Sequence, residues 1–436
     1  MRVLFGTDGI RGKAHEYPLD PATMFALGEA LAHRLNRGRV LLGMDTRESG
    51  EEIASALAAG MAHGGGEAVL IGVIPTPGVA YLCRTSDAAA GISISASHNP
   101  WTDNGVKIFG HDGMKIPDAI EEQIEDEMRA LRREGPAEAR AAIDASAGLI
   151  EKYERFLVSG VKPNALRGKR VVLDAGHGAA YRIAPDVFRR AGADVTVIND
   201  QPNGRNINEQ SGALHPEGLA KRVVEVKADF GVAFDGDADR AIFADDAGKI
   251  RDGDEIIYLW ARNIAAKRVV TTVMSNFGFE KQLEADGIEL LRANVGDKYV
   301  LEQMLANDAV IGGEQSGHII DLTVHTTGDG IHTALVFGEI LSSADKPFSQ
   351  MRTFDPMPQL LLNERVAAKP PLDSLPKYQA ALARAKGELG GSGRILVRYS
   401  GTENLVRVMV EGEDDALIRR IANELRDVLR DEIALA

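Results

Sequence analysis

The sequence predicts an α/β protein built from three similar domains and a smaller fourth domain. Strands rich in Val, Ile and Leu alternate with helical segments, which is typical of mostly parallel sheets covered by helices. The order strand, helix, strand, strand begins at Arg39 and again at Arg170 and Arg268, and such self-similarity indicates repeated domains. At 436 residues the chain is also too long for one hydrophobic core.

The three copies share one arrangement of strands and loops. The predicted strands are 39–45, 68–72, 90–94 and 106–109 in the first copy, 170–174, 194–198, 230–234 and 241–244 in the second, and 268–272, 288–291, 309–311 and 319–322 in the third. In every copy the most polar loop follows the third strand, at Ser97, Asp235 and Glu314. We therefore expect these three loops to converge on one cleft.

Composition shifts predict where the domains meet. An apolar-poor segment at 133–140, turn residues at 245–253 and prolines within 355–371 mark the boundaries. The predicted domains are 1–150, 151–245, 246–357 and 358–436. The last has predicted strands at 394–397 and 406–410 and an amphipathic helix from about residue 415 to about residue 430. It lacks the repeated plan, so we expect a mixed α+β lid on a central cleft formed with the three α/β domains.

Charge and composition exclude several classes of function. The net charge of −14 argues against a nucleic-acid surface, although a local cluster of Arg and Lys can still bind a small anion. Cys83 is the only cysteine, so no disulfide framework exists and a reducing cytoplasm is indicated. No apolar run reaches the roughly 20 residues that span a bilayer, and glycine and charge interrupt the first residues too soon for a signal peptide. We expect a cytoplasmic protein that binds neither nucleic acid nor membranes.

The first polar loop displays a serine at the end of an apolar strand. Residues 95–100 read Ser-Ala-Ser-His-Asn-Pro, and Asn104-Gly105 is predicted to turn the chain before Val106-Lys-Ile-Phe109. Open α/β sheets place ligand sites at strand ends, so Ser97 is a candidate functional hydroxyl. The alternative is an ordinary turn, because Ser, Asn and Pro are common in turns.

The second polar loop carries Asp235, Asp237 and Asp239 at alternate positions after a strand. Crowded carboxylates repel one another unless a cation lies among them, and hard oxygen ligands suit Mg²⁺ or Ca²⁺. An EF-hand is disfavoured, because that loop needs Gly where this chain has Arg240 and a helix where it has a strand. A solvated acidic turn, or a phosphatase with Asp235 as its nucleophile, remains an alternative.

Two further loops offer groups that bind sugars and phosphates. Glu314-Gln-Ser-Gly-His318 provides a carboxylate, a hydroxyl and an imidazole, which suit sugar hydroxyls or proton transfer; the alternative is a plain surface loop. Arg398-Tyr-Ser-Gly-Thr402, with Arg407 on the next strand, offers hydroxyls and two guanidinium groups for a phosphate, although Ser-Gly-Thr also suits a hairpin. The glycine-rich segment 6–12 contains Arg11, a weaker candidate for anion binding.

Taken together, these segments resemble the α-D-phosphohexomutase superfamily along essentially the whole chain. In order, they are similar to its phosphoserine loop (95–100), metal loop (235–240), sugar-recognition loop (313–318) and phosphate-binding loop (398–407). Three segments resemble the glucosamine branch of the superfamily rather than the glucose or mannose branch. They are residues 5–12, the Gly-Glu-Gln-Ser-Gly-His sequence of the third loop, and Val273-Met-Ser-Asn276. The resemblance implies interconversion of glucosamine 6-phosphate and glucosamine 1-phosphate through a phosphoserine enzyme and a sugar 1,6-bisphosphate. Glucose or mannose phosphates are the alternative substrates.

The resemblance also implies roles for individual residues. Ser97 would carry the phosphoryl group and, with Asp235, Asp237 and Asp239, would hold one Mg²⁺. The residues around the transferring group would be Arg11, His98, Lys107, Arg240 and Lys298, with His318 or Lys107 as the base. The sugar would meet Glu314, Ser316 and His318, and the non-reacting phosphate would meet Arg398, Ser400, Gly401, Thr402 and Arg407. A homodimer is implied as well.

Three positions depart from the family pattern. Tyr399 and Asn404 stand where the family usually has proline, which makes the geometry of the last loop harder to predict. Trp101 stands where a smaller aromatic residue is more familiar, and its ring would change the size of the entrance.

Overall fold

A computed structural model of the chain describes residues 4–6, 8–131, 143–144, 146–400 and 404–433. The chain divides into two units, Met1–Thr272 with Leu291–Arg352 and Val273–Leu290 with Thr353–Ala436. Within the described ranges, no helix is both long enough and apolar enough to cross a membrane.

The first sheet carries the serine loop. Its strands are β1 (Phe5–Gly6), β2 (Gly9–Lys13), β3 (Arg39–Met44), β4 (Glu67–Val73), β5 (Ala90–Ile94), β6 (Asp103–Gly110) and β7 (Ile143–Asp144), and the helices of this region are α1 (Pro21–Arg34), α2 (Gly50–His63), α3 (Thr76–Thr85), α4 (Asp118–Leu131) and α5 (Ser146–Ser159). The spatial order is β1-β2-β6-β5-β3-β4-β7. Every residue of β5 is buried, because β5 lies inside the sheet, parallel to β3 and antiparallel to β6.

The second sheet carries the acidic loop. Its strands are β8 (Arg170–Asp174), β9 (Asp194–Ile198), β10 (Phe230–Phe234), β11 (Ala241–Asp245) and β12 (Ile250–Arg251), with helices α6 (Ala180–Arg190) and α7 (Glu217–Val226). Their order is β12-β11-β10-β8-β9. Strand β10 is parallel to β8 and antiparallel to β11, so the acidic loop between β10 and β11 repeats the position of the serine loop between β5 and β6.

The third sheet repeats this position once more. Its strands are β13 (Arg268–Thr272), β14 (Glu289–Ala293), β15 (Ile311–Gly313) and β16 (Ile319–Asp321), and the helices of this region are α8 (Gly253–Asn263), α9 (Phe277–Ala285), α10 (Asp297–Ala306) and α11 (Gly330–Ser342). The order is β14-β13-β15-β16. Strand β15 is parallel to β13 and antiparallel to β16, and the Glu314–His318 loop joins β15 to β16.

The C-terminal sheet is antiparallel. Its strands are β17 (Gln359–Arg365), β18 (Gly393–Tyr399) and β19 (Leu405–Gly412), with helices α12 (Pro376–Leu389) and α13 (Asp415–Ile433). Strand β19 is central, between β17 and β18. Helix α13 buries one face at Ile418, Ile421 and Leu425, the spacing of an amphipathic helix. Three α/β sheets followed by this α+β sheet confirm the predicted fold class.

Two local predictions differ from the structure. Asn104 and Gly105 do not turn the chain, because both lie inside β6 and pair with β2. The side chain of Asn104 is buried and donates a hydrogen bond to Ser49 Oγ at 2.8 Å, so a tertiary contact replaces the expected turn. The sequence reading also missed β17 and α12 in the C-terminal unit.

The domain limits derived from the sequence remain a prediction. Strand β12 pairs with β11, which places Ile250–Arg251 in the second sheet. The segment Val273–Leu290, which includes α9, belongs to the same unit as the C-terminal residues. There, Arg394 donates to the carbonyl of Ser275 at 2.9 Å, and Glu411 accepts from the amide of Phe277 at 3.2 Å.

Candidate active site

Ser97 lies in the loop between β5 and β6 with its side chain buried. Its backbone is in the left-handed region, with φ of 52°, a conformation that is uncommon for any residue other than glycine. Its hydroxyl donates a hydrogen bond to Asp235 Oδ2 at 2.6 Å, and His98 Nδ1 lies 3.3 Å from Ser97 Oγ. The structure therefore joins the serine loop to the acidic loop through one short contact across two sheets.

The three aspartates of the acidic loop converge, as the sequence predicted. Asp235, Asp237 and Asp239 are all buried, and one carboxylate oxygen from each lies within 4.8 Å of the others. Burial raises the pKa of Asp235 well above its usual value, and the charges of Asp239 and Asp237 add to that rise. Among the described residues, no donor reaches Oδ1 of Asp237 or Oδ1 of Asp239. Clustered, buried carboxylate oxygens that lack donors fit a hard divalent cation such as Mg²⁺.

A buried threonine, which the sequence reading missed, holds one of these aspartates. Thr76, the first residue of α3, donates its hydroxyl proton to Asp237 Oδ2 at 2.6 Å, and its amide donates to the carbonyl of Asp237 at 2.9 Å. Thr76 Oγ1 also lies 2.6 Å from Ser93 Oγ. The first residue of α3 thus fixes both the backbone and the side chain of the middle aspartate.

Lys107 supplies a buried positive charge to the acidic loop. It lies on β6, and its Nζ is 2.9 Å from Asp237 Oδ2, 3.3 Å from Asp239 Oδ2 and 3.4 Å from Asp8 Oδ2. Burial alone would lower the pKa of Lys107, but the carboxylates of Asp237, Asp8 and Asp239 outweigh burial and hold it well above the usual value. Lys107 is therefore a cation at neutral pH and a poor proton acceptor.

Alternating charges continue from Lys107 to the third sheet. Asp8 also pairs with Arg11 and with Lys115, and Lys115 Nζ lies 2.7 Å from Asp297 Oδ2. Asp297, at the start of α10, is 3.7 Å from His318 Nε2. Sequence reading missed Asp8, Lys115 and Asp297. Asp8 stands in the glycine-rich segment 6–12, but nothing local to Lys115 or Asp297 signals that they meet.

The side chains of two arginines and one histidine lie around the serine loop. Arg11 Nη1 donates to the carbonyl of Ala96 at 3.2 Å, and Arg240 Nη1 lies 3.3 Å from His98 Nδ1. Burial lowers the pKa of His98 to about 4, and the charges of Arg240 and Arg11 contribute to that shift. His98 is thus neutral at pH 7, and its Nδ1 accepts from Arg240.

The Glu314–His318 loop packs directly on the acidic loop. Gly317 has φ of 92°, and a Cβ there would collide with the carbonyl of Ala241, whose amide donates to the Gly317 carbonyl at 3.1 Å. His318 is buried, with Nδ1 3.6 Å from Asp239 Oδ2. Its Nε2 accepts from the amide of Gly328 at 3.0 Å. Burial lowers the pKa of His318, whereas Asp239 and Asp297 raise it above its usual value.

Glu314, Ser316 and Lys298 are placed less deeply. Glu314 Oε1 accepts from the amide of Gly296 at 3.1 Å, and its Oε2 accepts from the exposed Ser316 hydroxyl at 3.3 Å. Lys298 forms an ion pair with Asp118 at the start of α4. The ammonium group of Lys298, which was expected beside the transferring phosphoryl group, thus pairs with Asp118 in this structure. Lys107 and Lys115 are the lysines that join the network of Asp8, Asp237, Asp239 and Asp297.

The C-terminal unit brings two arginines together. Arg398 and Arg407 face each other across β18 and β19. Burial and the neighbouring charge of Arg407 lower the pKa of Arg398, and like charges held this close favour an anion between them. Ser400 is buried, and its amide donates to the carbonyl of Leu405 at 2.9 Å. Gly401 and Thr402 lie outside the described residues.

The three residues that depart from the family pattern, Tyr399, Asn404 and Trp101, make specific contacts. The hydroxyl of Tyr399 donates to the carbonyl of Pro370 at 2.8 Å, and the carbonyl of Asn404 accepts from the amide of Val366 at 3.0 Å. The guanidinium of Arg205 lies 5.2 Å from the ring centroid of Trp101, within the range of a cation–π interaction.

A buried hydroxyl beside a triad of carboxylates, on three sheets of the same plan, defines a phosphoryl-transfer enzyme of the phosphohexomutase type. Four family descriptions match in order: phosphoglucomutase/phosphomannomutase α/β/α domain I at residues 2–134, domain II at 150–248, domain III at 252–356 and the C-terminal domain at 361–428. The chain belongs to the phosphoglucomutase/phosphomannomutase family.

Full-length relatives carry a more specific name. Phosphoglucosamine mutase from Solibacter usitatus is 47% identical over 441 residues, which cover 99% of each chain. The enzyme of that name from Symbiobacterium thermophilum is 46% identical and covers 99% of this chain and 100% of its own.

Solved structures share the fold. A phosphoglucomutase/phosphomannomutase family protein from Burkholderia thailandensis superposes with a TM-score of 0.83 at 23% identity, covering 99% of this chain and 98% of its own. Aspergillus fumigatus N-acetylphosphoglucosamine mutase, solved with GlcNAc-6P and magnesium, has a TM-score of 0.70 at 18% identity, covering 99% and 96%.

Proposed function

We propose that the chain is a phosphoglucosamine mutase, which interconverts glucosamine 6-phosphate and glucosamine 1-phosphate through a phosphoserine at Ser97 and a sugar 1,6-bisphosphate. The observation that carries the proposal is the hydrogen bond from Ser97 Oγ to Asp235, inside a buried triad bordered by Lys107 and Arg240. The full-length relatives of that name support the choice of sugar. In reaction class this is an intramolecular phosphotransferase, an isomerase.

A phosphoserine at residue 97 needs positive charge nearby. Such a group carries about −1.5 to −2 charges at neutral pH. Arg11 donates to the carbonyl of Ala96 and Arg240 lies beside His98, so both flank Ser97, and Lys107 pairs with Asp237 of the triad. Positive charge aimed at the equatorial oxygens stabilises phosphoryl transfer. Because His98 is neutral at pH 7, its Nδ1 can accept from Arg240, and we propose that it holds this guanidinium group beside the serine loop.

One Mg²⁺ per chain fits the donor-free oxygens of the triad. We propose that Asp235, Asp237 and Asp239 hold it together with the serine oxygen. Bound there, Mg²⁺ would offset the negative charge of the transferring phosphoryl group.

The proton acceptor for the sugar hydroxyl is assigned to His318. Lys107 is unsuited, since three carboxylates keep it protonated. His318 Nε2 already accepts from the Gly328 amide, so accepting a proton there requires the Glu314–His318 loop to shift. Glu314 and Ser316 of this loop are proposed to bind the sugar.

The paired arginines of the C-terminal unit are proposed to bind the phosphate that does not react. Arg398 and Arg407 offer two guanidinium forks, the geometry that suits phosphate oxygens. In the proposed cycle the bisphosphate must turn end for end before it returns a phosphoryl group to Ser97, so both of its ends must fit the same two subsites.

Phosphate mapping and substrate ranking test this function. Intact mass and peptide mapping should place one phosphate on residue 97, and Ser97→Ala should lose turnover while still binding glucosamine 6-phosphate. The matched control, Ser343→Ala at an exposed serine after α11, should keep the wild-type rate. Wild-type turnover should be faster on glucosamine phosphates than on glucose or mannose phosphates.

The rival chemistries give different results. Phosphate on Asp235 instead of Ser97 would indicate an aspartate-nucleophile phosphatase, although both Asp235 oxygens already accept, from Ser97 and from the Arg240 amide. A faster rate on glucose or mannose phosphate would indicate the other branches of the family. Asp237→Asn should raise the Mg²⁺ concentration needed for half-maximal activity, and an unchanged titration would contradict the proposed metal site.

We propose a cytoplasmic enzyme that acts as a homodimer, on the strength of the family resemblance and of Cys83, which is buried and unpaired.

A further inference from the structure

Two side chains far from Ser97 in sequence hold the backbone of the serine loop. Arg47 Nη2 donates to the carbonyls of Ser97 at 3.2 Å and Asn99 at 2.6 Å. Asn208 Nδ2 donates to the same two carbonyls, at 3.0 and 3.2 Å. Each nitrogen carries two protons, so the two nitrogens and the two carbonyl oxygens form a closed ring of four hydrogen bonds.

The arginine of this ring is itself held in place. Its side chain is fully buried and paired with Asp45, which lies directly after β3 and also accepts from the Arg47 amide at 2.9 Å. The guanidinium group of Arg47 is therefore held in one orientation, directed at the serine loop. Within the loop, Ser95 Oγ accepts from the amide of Ser97 at 2.9 Å, which fixes the other side of the same peptide segment.

The asparagine of the ring belongs to the region that carries the acidic loop. Asn208 lies between β9 and α7 of the second sheet's domain, and Gly236 of the acidic loop approaches the same carbonyl so closely that a Cβ there would lie 2.5 Å from Ser97 O. The orientation of the serine is thus set by residues from both the first and the second sheet.

We propose that Arg47 and Asn208 are positioning residues that hold Ser97 in its left-handed conformation, with Oγ directed at the aspartate triad. A positive φ at a residue other than glycine persists only where surrounding contacts enforce it, and the four hydrogen bonds provide that enforcement. Neither side chain touches the hydroxyl that reacts. The catalytic consequence rests on the proposed function, whereas the conformational role does not.

Asn208 offers the sharper test, because Arg47 is bound to a buried carboxylate and its loss threatens folding. Asn208 has φ of 59°, which Asp and Gly also tolerate. Asn208→Asp keeps the size of the side chain but replaces the donor by an acceptor facing two carbonyls, and Asn208→Gly removes the side chain. Asn206→Asp is the matched control, since Asn206 lies in the same loop and its side chain, among the described residues, bonds within that loop, to the amide of Asn203 and the carbonyl of Gln201. Arg47→Lys is the companion variant, which keeps the charge but not the fork.

The first readout is independent of activity. Hydrogen exchange of the peptide that contains residues 95–100 should be faster in Asn208→Asp than in wild type, and unchanged in Asn206→Asp. Equal exchange in the two variants would overturn the proposal, whatever their activity.

The second readout is the kinetics of glucosamine phosphate interconversion. Asn208→Asp and Arg47→Lys should lower kcat by about 10- to 100-fold, the range for a reacting group misplaced by about 1 Å, with KM within about twofold of wild type. If kcat falls only in proportion to the fraction of folded protein, the four hydrogen bonds have a structural role alone, and the proposal that they position Ser97 is wrong. A wild-type protein without mutase turnover would refute the proposed function, and the exchange experiment would still decide the conformational role.

Discussion

Lys107→Met tests whether the acidic loop depends on one buried cation. The substitution keeps an unbranched apolar side chain of similar length and removes the ammonium group. In the structure that group lies within 3.4 Å of three carboxylates, and its side chain is 1% exposed. Solvent therefore cannot replace the lost charge, and Asp237 and Asp239 are left buried close to one another, with the half-buried Asp8 beside them.

Two magnitudes follow from this geometry. Removing one partner of a buried ion pair costs about 3–5 kcal/mol of unfolding free energy, and we expect Lys107→Met to lose that amount in metal-free buffer. Removing a preorganised charge from a transfer site costs about 10²- to 10³-fold in kcat, and the same loss is expected for mutase turnover. Mg²⁺ should restore part of the lost stability, because a divalent cation also offsets the carboxylates.

Urea unfolding in EDTA and in Mg²⁺, together with steady-state kinetics, measures these effects. Lys221→Met is the matched control: its side chain is 80% exposed, its nitrogen lies 3.9 Å from Glu225, and a surface change of this kind should stay within about 0.5 kcal/mol. If Lys107→Met unfolds like Lys221→Met in EDTA, the buried carboxylates do not need the lysine, and the electrostatic account of the site is wrong.

Two other titratable groups give further predictions. The pKa of His98 falls from 6.5 to about 4 in the folded chain. Because the unfolded chain binds more protons between these pH values, the free energy of unfolding should decline as pH falls from 6.5 toward 4. Urea unfolding in EDTA should show a flatter decline for His98→Gln than for wild type, and an identical pH dependence in the two proteins would contradict the shift. Burial raises the pKa of the Cys83 thiol to about 12. A thiol reagent at pH 8 should therefore label the native protein only as fast as the surrounding structure unfolds locally and exposes Cys83. Rapid labelling without denaturant would show instead that the thiol is accessible in the folded protein.

The sequence alone indicated the repeated plan and the loops that matter. Hydrophobic runs placed β5 and β10, and their polar ends placed Ser97 and the three aspartates, because strand length and alternation are local properties. The same local reasoning was wrong at Asn104-Gly105. An Asn-Gly pair usually turns a chain, but here Asn104 is buried against Ser49, so a tertiary contact overrides the local preference.

Only the folded chain decides which charges meet. Asp8, Lys115 and Asp297 are separated by more than 100 residues at each step, yet they form one network. Thr76, at the start of α3, reaches Asp237 across 161 residues. Lys298 shows the converse, since a lysine expected near the transferring group pairs with Asp118. Pairing of this kind depends on how sheets pack, which no short stretch of sequence records.

Local sequence determined the strands, the order of the loops and the chemical groups that each loop presents, because each of these depends on neighbouring residues. Tertiary structure decided the orientation of those groups. The direction in which Ser97 points is set by Arg47, Asn208 and Gly236, which come together only when the first and second sheets pack, since hydrogen bonds and close backbone contacts act over a few ångströms in space and not along the chain.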